Sequence, residues 1–154
     1  MFYLLLAVIA AAAVALDQFV KYLTVLHIPL GGEVPLLPGV VHLTYVQNTG
    51  AAFSMLEGKI GFFYIVTAAF LALVILCVWK KWLKSKGSLI SLAAITGGAI
   101  GNLIDRMVQG FVVDMIEVEF MQFAVFNVAD CFITCGAVAL VICVFLEDRK
   151  EKTK

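Results

Sequence analysis

Two carboxylates stand where a largely apolar chain has few means of tolerating them. Asp114, in FVVDMIEVEF, and Asp130, in FAVFNVAD, are each flanked by apolar residues and each lie beside the end of a long hydrophobic run. An ionised group in hydrocarbon is costly, and pairing, protonation or a water-filled cavity are the usual ways out. Two acids sharing one poorly solvated site could not both ionise easily. The ionised one could then draw a proton from water while the protonated one donates to a carbonyl oxygen, which is general acid–base hydrolysis. The same residues have plainer readings: Asp114 as a helix-end residue wetted by solvent, Asp130 as a capping acid near a helix N-terminus, where negative charge is favoured.

Further polar residues accompany them. Asp17 and Lys21 are spaced i, i+4, so they share a helix face and can neutralise each other, and a structural role is expected. Asn102, Asp105 and Arg106 cluster at i, i+3 and i+4, either as a helix-end network or as a clamp for a substrate backbone. Asn127 is i, i+3 from Asp130, and Asn48 precedes the GAAF that leads back into an apolar run. Gly97 and Gly101 form a G-x-x-x-G, for which close helix packing is the default explanation. The four cysteines, Cys77, Cys131, Cys135 and Cys143, lie in apolar runs without C-x-x-C spacing and read as small hydrophobes. The two histidines, His27 and His42, fall in a loop, so haem or di-metal ligation inside a helical bundle has no ligands to use. Neither metal nor cofactor is expected. A formal net charge of zero offers no basic field for nucleic acid.

The elements that must position these residues follow from hydropathy. Of 154 residues 63% are hydrophobic and 14% charged, against roughly a quarter charged in a soluble domain, and the mean hydropathy is +1.05. This is the composition of an integral membrane protein. A spanning helix needs about 20 mostly apolar residues, and four stretches qualify: approximately Phe2 to Leu26, Gly61 to Trp79, Ser88 to Val108 and Phe126 to Leu146. The first lacks the basic region of a cleaved signal peptide and is expected to be a retained helix. Lys80, Lys81, Lys84 and Lys86 lie between the second and third spans, and EDRKEKTK follows the fourth. Basic loops face the cytoplasm, so both termini are expected there. The loops His27 to Ile60 and Gln109 to Val125, with Glu33, Glu57, Glu117 and Glu119 against Lys59, then face outward. Val40 to Val46 is β-branched and aromatic, and Ile116, Val118 and Phe120 alternate with Glu117 and Glu119, which is period two. The expected architecture is an all-α membrane protein, one domain over residues 1–154, with four transmembrane helices and a small extracytoplasmic β-platform built from the outer loops. PLGGEVPLLPG supplies turn chemistry ahead of the first strand.

This topology places the polar groups of the first, third and fourth helices, with Asn48 and Asp114, at one depth in the outer half. A proton-coupled carrier would also bury acids and an arginine, but a carrier more often needs a polar path to both faces and commonly shows an internal repeat, and neither is visible. A purely structural membrane protein explains the G-x-x-x-G and leaves the two acids without a purpose.

Four boxes carry a family resemblance: DQFVK at Asp17 to Lys21, NTGAAF at Asn48 to Phe53, GGAIGNLIDR at Gly97 to Arg106, and VVDM followed by FNVAD ending at Asp130. In this order and topology the chain resembles lipoprotein signal peptidase, the signal peptidase II family of bacterial four-helix inner-membrane aspartyl proteases. The resemblance covers nearly the whole chain. One departure is Met115, where the family often has Phe, a flexible apolar replacement that could alter the apolar wall near the site. The resemblance implies that Asp114 and Asp130 are the catalytic dyad, that Asn48, Asn102, Arg106 and Asn127 line or brace the site, and that Asp17, Lys21 and Asp105 are mainly structural. It implies a substrate among prolipoproteins whose lipobox cysteine carries a diacylglyceryl group, cut just before that cysteine, and sensitivity to the cyclic peptide globomycin. The expected partners are such lipid-modified signal peptides and membrane lipids, with the enzyme a monomer.

Overall fold

The chain runs α1 (Phe2–His27), β1 (Glu33–Leu37), β2 (Val41–Asn48), α2 (Ile60–Trp79), α3 (Lys86–Gln109), β3 (Val112–Val118) and α4 (Val128–Lys152). This computed structural model describes residues 1–50 and 55–152, the last three by their backbone alone; Ala51 to Phe53 of the asparagine box lie outside the described residues. Among those described, four helices are long and apolar enough to cross a membrane. At 1.5 Å per residue, even the 20-residue α2 reaches about 30 Å.

Burial assigns each helix its place. α3 is the axis, packed on α1 and α4 and more lightly on α2. Its small residues permit the approach: a Cβ on Gly97 would meet the Ala10 carbonyl of α1 at 2.6 Å, and one on Gly98 would meet the Ala129 carbonyl of α4 at 2.5 Å. Without hydrophobic exclusion between helices in lipid, such backbone proximity is what gives association its dispersion energy. α2 is apolar all round with no buried residue, the pattern of a helix whose surroundings are themselves apolar. Leu4, Val8 and Phe19 of α1 and Val138, Val141 and Phe145 of α4 are likewise exposed. In water this belt would be an aggregation surface; in a bilayer it is the face that lipid contacts.

The helix ends are signalled locally. Ser85 caps α3, its Oγ accepting from the Ser88 N–H at 3.0 Å, and Gly110 closes the helix in the left-handed conformation (φ 80°). At the lysine-rich end, the Glu147 carboxylate also accepts from the Ser88 hydroxyl and the Ser85 N–H, tying α4 to the start of α3.

The three strands form one antiparallel sheet in the order β1-β2-β3 at the other end of the bundle. Ile28, Tyr45, Val113 and Met115 make its buried core, with Val20, Leu43, Phe111 and Ile116 against them. A fully buried side chain of this kind contributes about 1.5–3 kcal/mol. The four-helix architecture with a small sheet agrees with the expectation from sequence, though the sheet differs in detail. The stretch read as turn chemistry supplies β1, an exposed strand whose Pro35 is tolerable because it lies on the edge. β3 starts at Val112 and ends at Val118, so Phe120 falls outside it and Asp114 lies within it. The reason is the opposite face: Val113 and Met115 point into the sheet core, a burial pattern that takes precedence over the charged alternation further on. Met115 is fully buried there and does not line the cavity described next. The side chain at position 115, expected to touch the apolar wall near the site, therefore bears on sheet packing and not on a cavity wall.

Candidate active site

Asp114 arrives on β3 and Asp130 in the first turn of α4, and both line one cavity of about 490 Å³ at the sheet end of the bundle. Asn48, Asn102, Arg106 and Asn127 line the same cavity, so all six residues read from sequence as catalytic or supporting meet in it. Most of the remaining wall is apolar, from Val112, Phe123, Ala124, Val125 and Phe126 to Cys131 and Cys135.

Asn127 joins the acids. Its Nδ2 donates to Asp114 Oδ1 at 2.6 Å and to Asn102 Oδ1 at 3.1 Å. Its Oδ1 accepts from the Asp130 N–H at 3.0 Å, while Asp130 Oδ2 accepts from the Asn127 N–H at 3.1 Å. That reciprocal pair is a capping box, which satisfies two otherwise orphaned N–H groups at the start of α4. The capping reading of Asp130 and the paired-acid reading are thus compatible, because one carboxylate oxygen caps and the other faces Asn102, whose Nδ2 donates to Asp130 Oδ1 at 2.8 Å. Asp114 Oδ2 accepts from Asn48 Nδ2 at 2.8 Å. Asn48 in turn accepts the Gly50 N–H at 2.9 Å, and Arg106 Nη2 donates to the Gly50 carbonyl at 2.9 Å. The guanidinium lies 4.3 Å from the centroid of the Phe63 ring, a cation–π arrangement that ties it to α2.

Asp114 is 2% exposed, and burial is the main cause that pushes its carboxyl up to about 6 from the usual 3.8. The neighbouring Asp130 charge acts the same way, and the amide donors of Asn48 and Asn127 oppose both.

Behind the cavity, Lys21 Nζ sits between Asp17 Oδ2 at 2.8 Å and Asp105 Oδ2 at 2.9 Å, and donates to Asn102 Oδ1 at 2.9 Å. Asp17 Oδ1 accepts the Ala129 N–H at 2.8 Å, and Asp105 Oδ2 accepts the Val113 N–H at 3.1 Å. The Asp17–Lys21 pair anticipated from spacing is therefore part of a larger network that fixes the backbones beside both acids. Sequence reasoning left Gln18 and Phe63 without a role. Gln18 Nε2 bonds Asp105 Oδ1 at 2.8 Å and the Gly101 carbonyl at 3.2 Å. Its place one residue after Asp17 in an apolar run was the available signal. Phe63 is one aromatic among several on α2, and nothing in its spacing marked it. Among the described residues, every buried side-chain N or O atom has a partner.

The sequence profile of signal peptidase (SPase) II matches residues 9–146. A protein of Enterococcus faecalis named lipoprotein signal peptidase is 43% identical over 144 residues, covering 94% of this chain and 89% of that protein. One of the same name from Streptococcus pyogenes is 43% identical over 143 residues, with 88% and 89% covered. A solved bacterial membrane enzyme superimposes with a TM-score of 0.88 at 30% identity over 96% of this chain and 91% of its own, and another with 0.81 at 31% identity over 89% and 90%. Fold, cavity and likeness together define a multi-pass bacterial membrane protease. The chain belongs to the signal peptidase II family.

Proposed function

We propose that this protein is an aspartic endopeptidase that removes the signal peptide from diacylglyceryl-modified prolipoproteins, cutting before the lipidated cysteine, with Asp114 and Asp130 as its dyad. One observation carries the reading: Asn127 binds both acids at once, on the wall of one mostly apolar cavity. Residues 1–154 act as a single peptidase domain, a monomer with both termini in the cytoplasm and the sheet at the extracytoplasmic face.

Asp114 is the acid of the pair, and below about pH 6 it holds the shared proton, since burial favours its neutral form. Asp130 is the base of the pair: its carboxylate accepts from Asn102 Nδ2 and the Asn127 N–H at the start of α4, where the helix dipole favours an anion. Asp130 takes a proton from water as its oxygen attacks the scissile carbonyl carbon, and Asp114 donates to the carbonyl oxygen. Collapse of the tetrahedral species breaks the C–N bond. The proton gained by Asp130 passes to the leaving cysteine amine, and the gem-diol returns a proton to Asp114, so the dyad is restored. Arg106 and the asparagines hold the peptide and stabilise developing charge. No covalent intermediate is required.

The site's position suits its substrate. The diacylglyceryl chains remain among membrane lipids, the signal helix lies against the bundle, and the scissile bond meets the acids where water enters from one side. The sheet platform is placed to cover the peptide during cleavage. A cyclic peptide such as globomycin would compete for the same cavity.

The test is cleavage of a lipid-modified precursor in detergent. Asp114→Asn and Asp130→Asn should each insert and fold, with a loss of rate of at least about a thousandfold, as removal of an essential acid or base entails. Substantial activity in either variant would reject the dyad.

A further inference from the structure

The three strands bring together a second constellation, apart from the aspartate cavity. Glu33 of β1, His42 of β2 and Glu117 of β3 each present one ligand atom, and these three atoms lie within 4.8 Å of one another. The register explains why: His42 pairs directly with Glu117, and Glu33 pairs with Thr44, two residues along β2 on the same face. His42 Nε2 is 2.9 Å from Glu117 Oε2, and its Nδ1 is 3.3 Å from Glu119 Oε1. Glu119 Oε2 is itself anchored by the Gly39 N–H at 2.9 Å. None of Glu33, Glu117 or Glu119 forms an ion pair with a lysine or arginine among the described residues; His42 alone faces them.

We propose that Glu33, His42 Nε2 and Glu117 form a three-ligand site for a divalent transition-metal ion of the Zn²⁺ class on this platform. Three features carry it. One imidazole and two carboxylates from three different strands make a mixed N/O set suited to a borderline ion. Glu119 Oε1, 3.3 Å from Nδ1, is positioned to accept from Nδ1–H when a metal takes the place of the proton on Nε2, as carboxylates do behind ligating histidines. Three carboxylates around one imidazole leave an excess of negative charge that a divalent cation would neutralise. Ligand bonds of about 2.0–2.2 Å require ligand atoms no more than about 4 Å apart, a closure that rotation of the exposed Glu33 side chain supplies. None of the three lines the aspartate cavity. The ion's work is therefore structural: it ties the edge strand β1 to β3, which it does not otherwise touch in the sheet. The site departs from the expectation of no metal, which weighed ligands within a helical bundle and not those that strand pairing brings together.

The test is titration of the full-length protein in detergent with ZnCl2, read by calorimetry and by the thermal midpoint. One Zn²⁺ should bind per chain and raise the midpoint. Affinity should fall at least tenfold in His42→Ala and in Glu33→Gln; the second change, on an exposed edge strand, leaves folding intact. A quadruple Cys→Ser variant should bind as the unmodified protein does, and millimolar Mg²⁺ should not displace the ion. Absence of a saturable single site, binding unchanged in both ligand variants, loss of binding with the cysteines, or displacement by Mg²⁺ would each overturn the proposal.

Discussion

Asp114 shows how burial and hydrogen bonding compete over one proton. Enclosure drives its carboxyl up to about 6, although two amide donors aimed at its oxygens favour the ionised form. The sign of the consequence is definite. A carboxyl whose folded value exceeds its unfolded one contributes stability that is whole below about pH 4 and is lost as pH rises through about 6. The thermal midpoint should therefore decline between pH 5 and pH 8, and that decline should shrink in Asp114→Asn. The same proton sets the rate: kcat/KM of the free enzyme should fall on the alkaline side with a midpoint near 6, while the limb in kcat lies higher because bound peptide excludes further water from the pair. A midpoint and a kcat/KM that are both flat across this range would show that Asp114 carries no retained proton.

The elements reveal which parts of this arrangement the sequence made legible. Counting charges in the loops and residues along the spans was enough to bring Asp17, Lys21, Asn102, Asp105, Asn127 and Asp130 to one level, because helix rise converts sequence position into depth. Asp114 was placed at that level too, but as an appendage to a helix end. Its strand setting depends on Val113 and Met115 packing beneath Tyr45 and Ile28, a long-range contact that local alternation does not encode. The glycines of α3 show the same limit. Gly97 and Gly101 were visible as a motif, whereas Gly98, which approaches α4 and not α1, had no spacing to announce it. Yet Gly98 lies against Ala129, the residue before Asp130. A methyl at position 98 would meet the Ala129 carbonyl at 2.5 Å and the Ile133 Cγ1 at 2.9 Å, so backbone must yield. Gly98→Ala should move α4 outward, lengthen the Asn102–Asp130 bond, lower the midpoint by the equivalent of about 1–3 kcal/mol, and cut activity by more than tenfold. Gly61→Ala, with open space around its Cβ, should do neither. Equal behaviour of the two variants would remove close α3–α4 packing from the account of the site.

At the scale of the whole molecule, Lys21 links more of the structure than either catalytic candidate does. Its ammonium binds Asp17 within α1, Asp105 and Asn102 on α3, and through their partners the Ala129 N–H of α4 and the Val113 N–H of β3. Lys21 is 3% exposed and Asp17 fully enclosed, so its loss would leave two carboxylates without their counter-charge in a site that water cannot reach. Removing one member of a buried ionic group costs about 3–5 kcal/mol, whereas neutralising all members together is often far milder. Lys21→Met alone should accordingly depress the thermal midpoint in detergent severely. The triple change Lys21→Met, Asp17→Asn, Asp105→Asn should recover most of that loss. Activity separates two roles that stability alone would merge. If the network only holds the bundle together, the triple variant regains its rate along with its midpoint. Because Lys21 also fixes Asn102 Oδ1, and thereby turns Asn102 Nδ2 toward Asp130, the rate should stay well below that of the unmodified protein after stability has returned. Full recovery of both would confine Lys21 to scaffolding; recovery of stability alone would make it a positioning residue for the acid across the bundle.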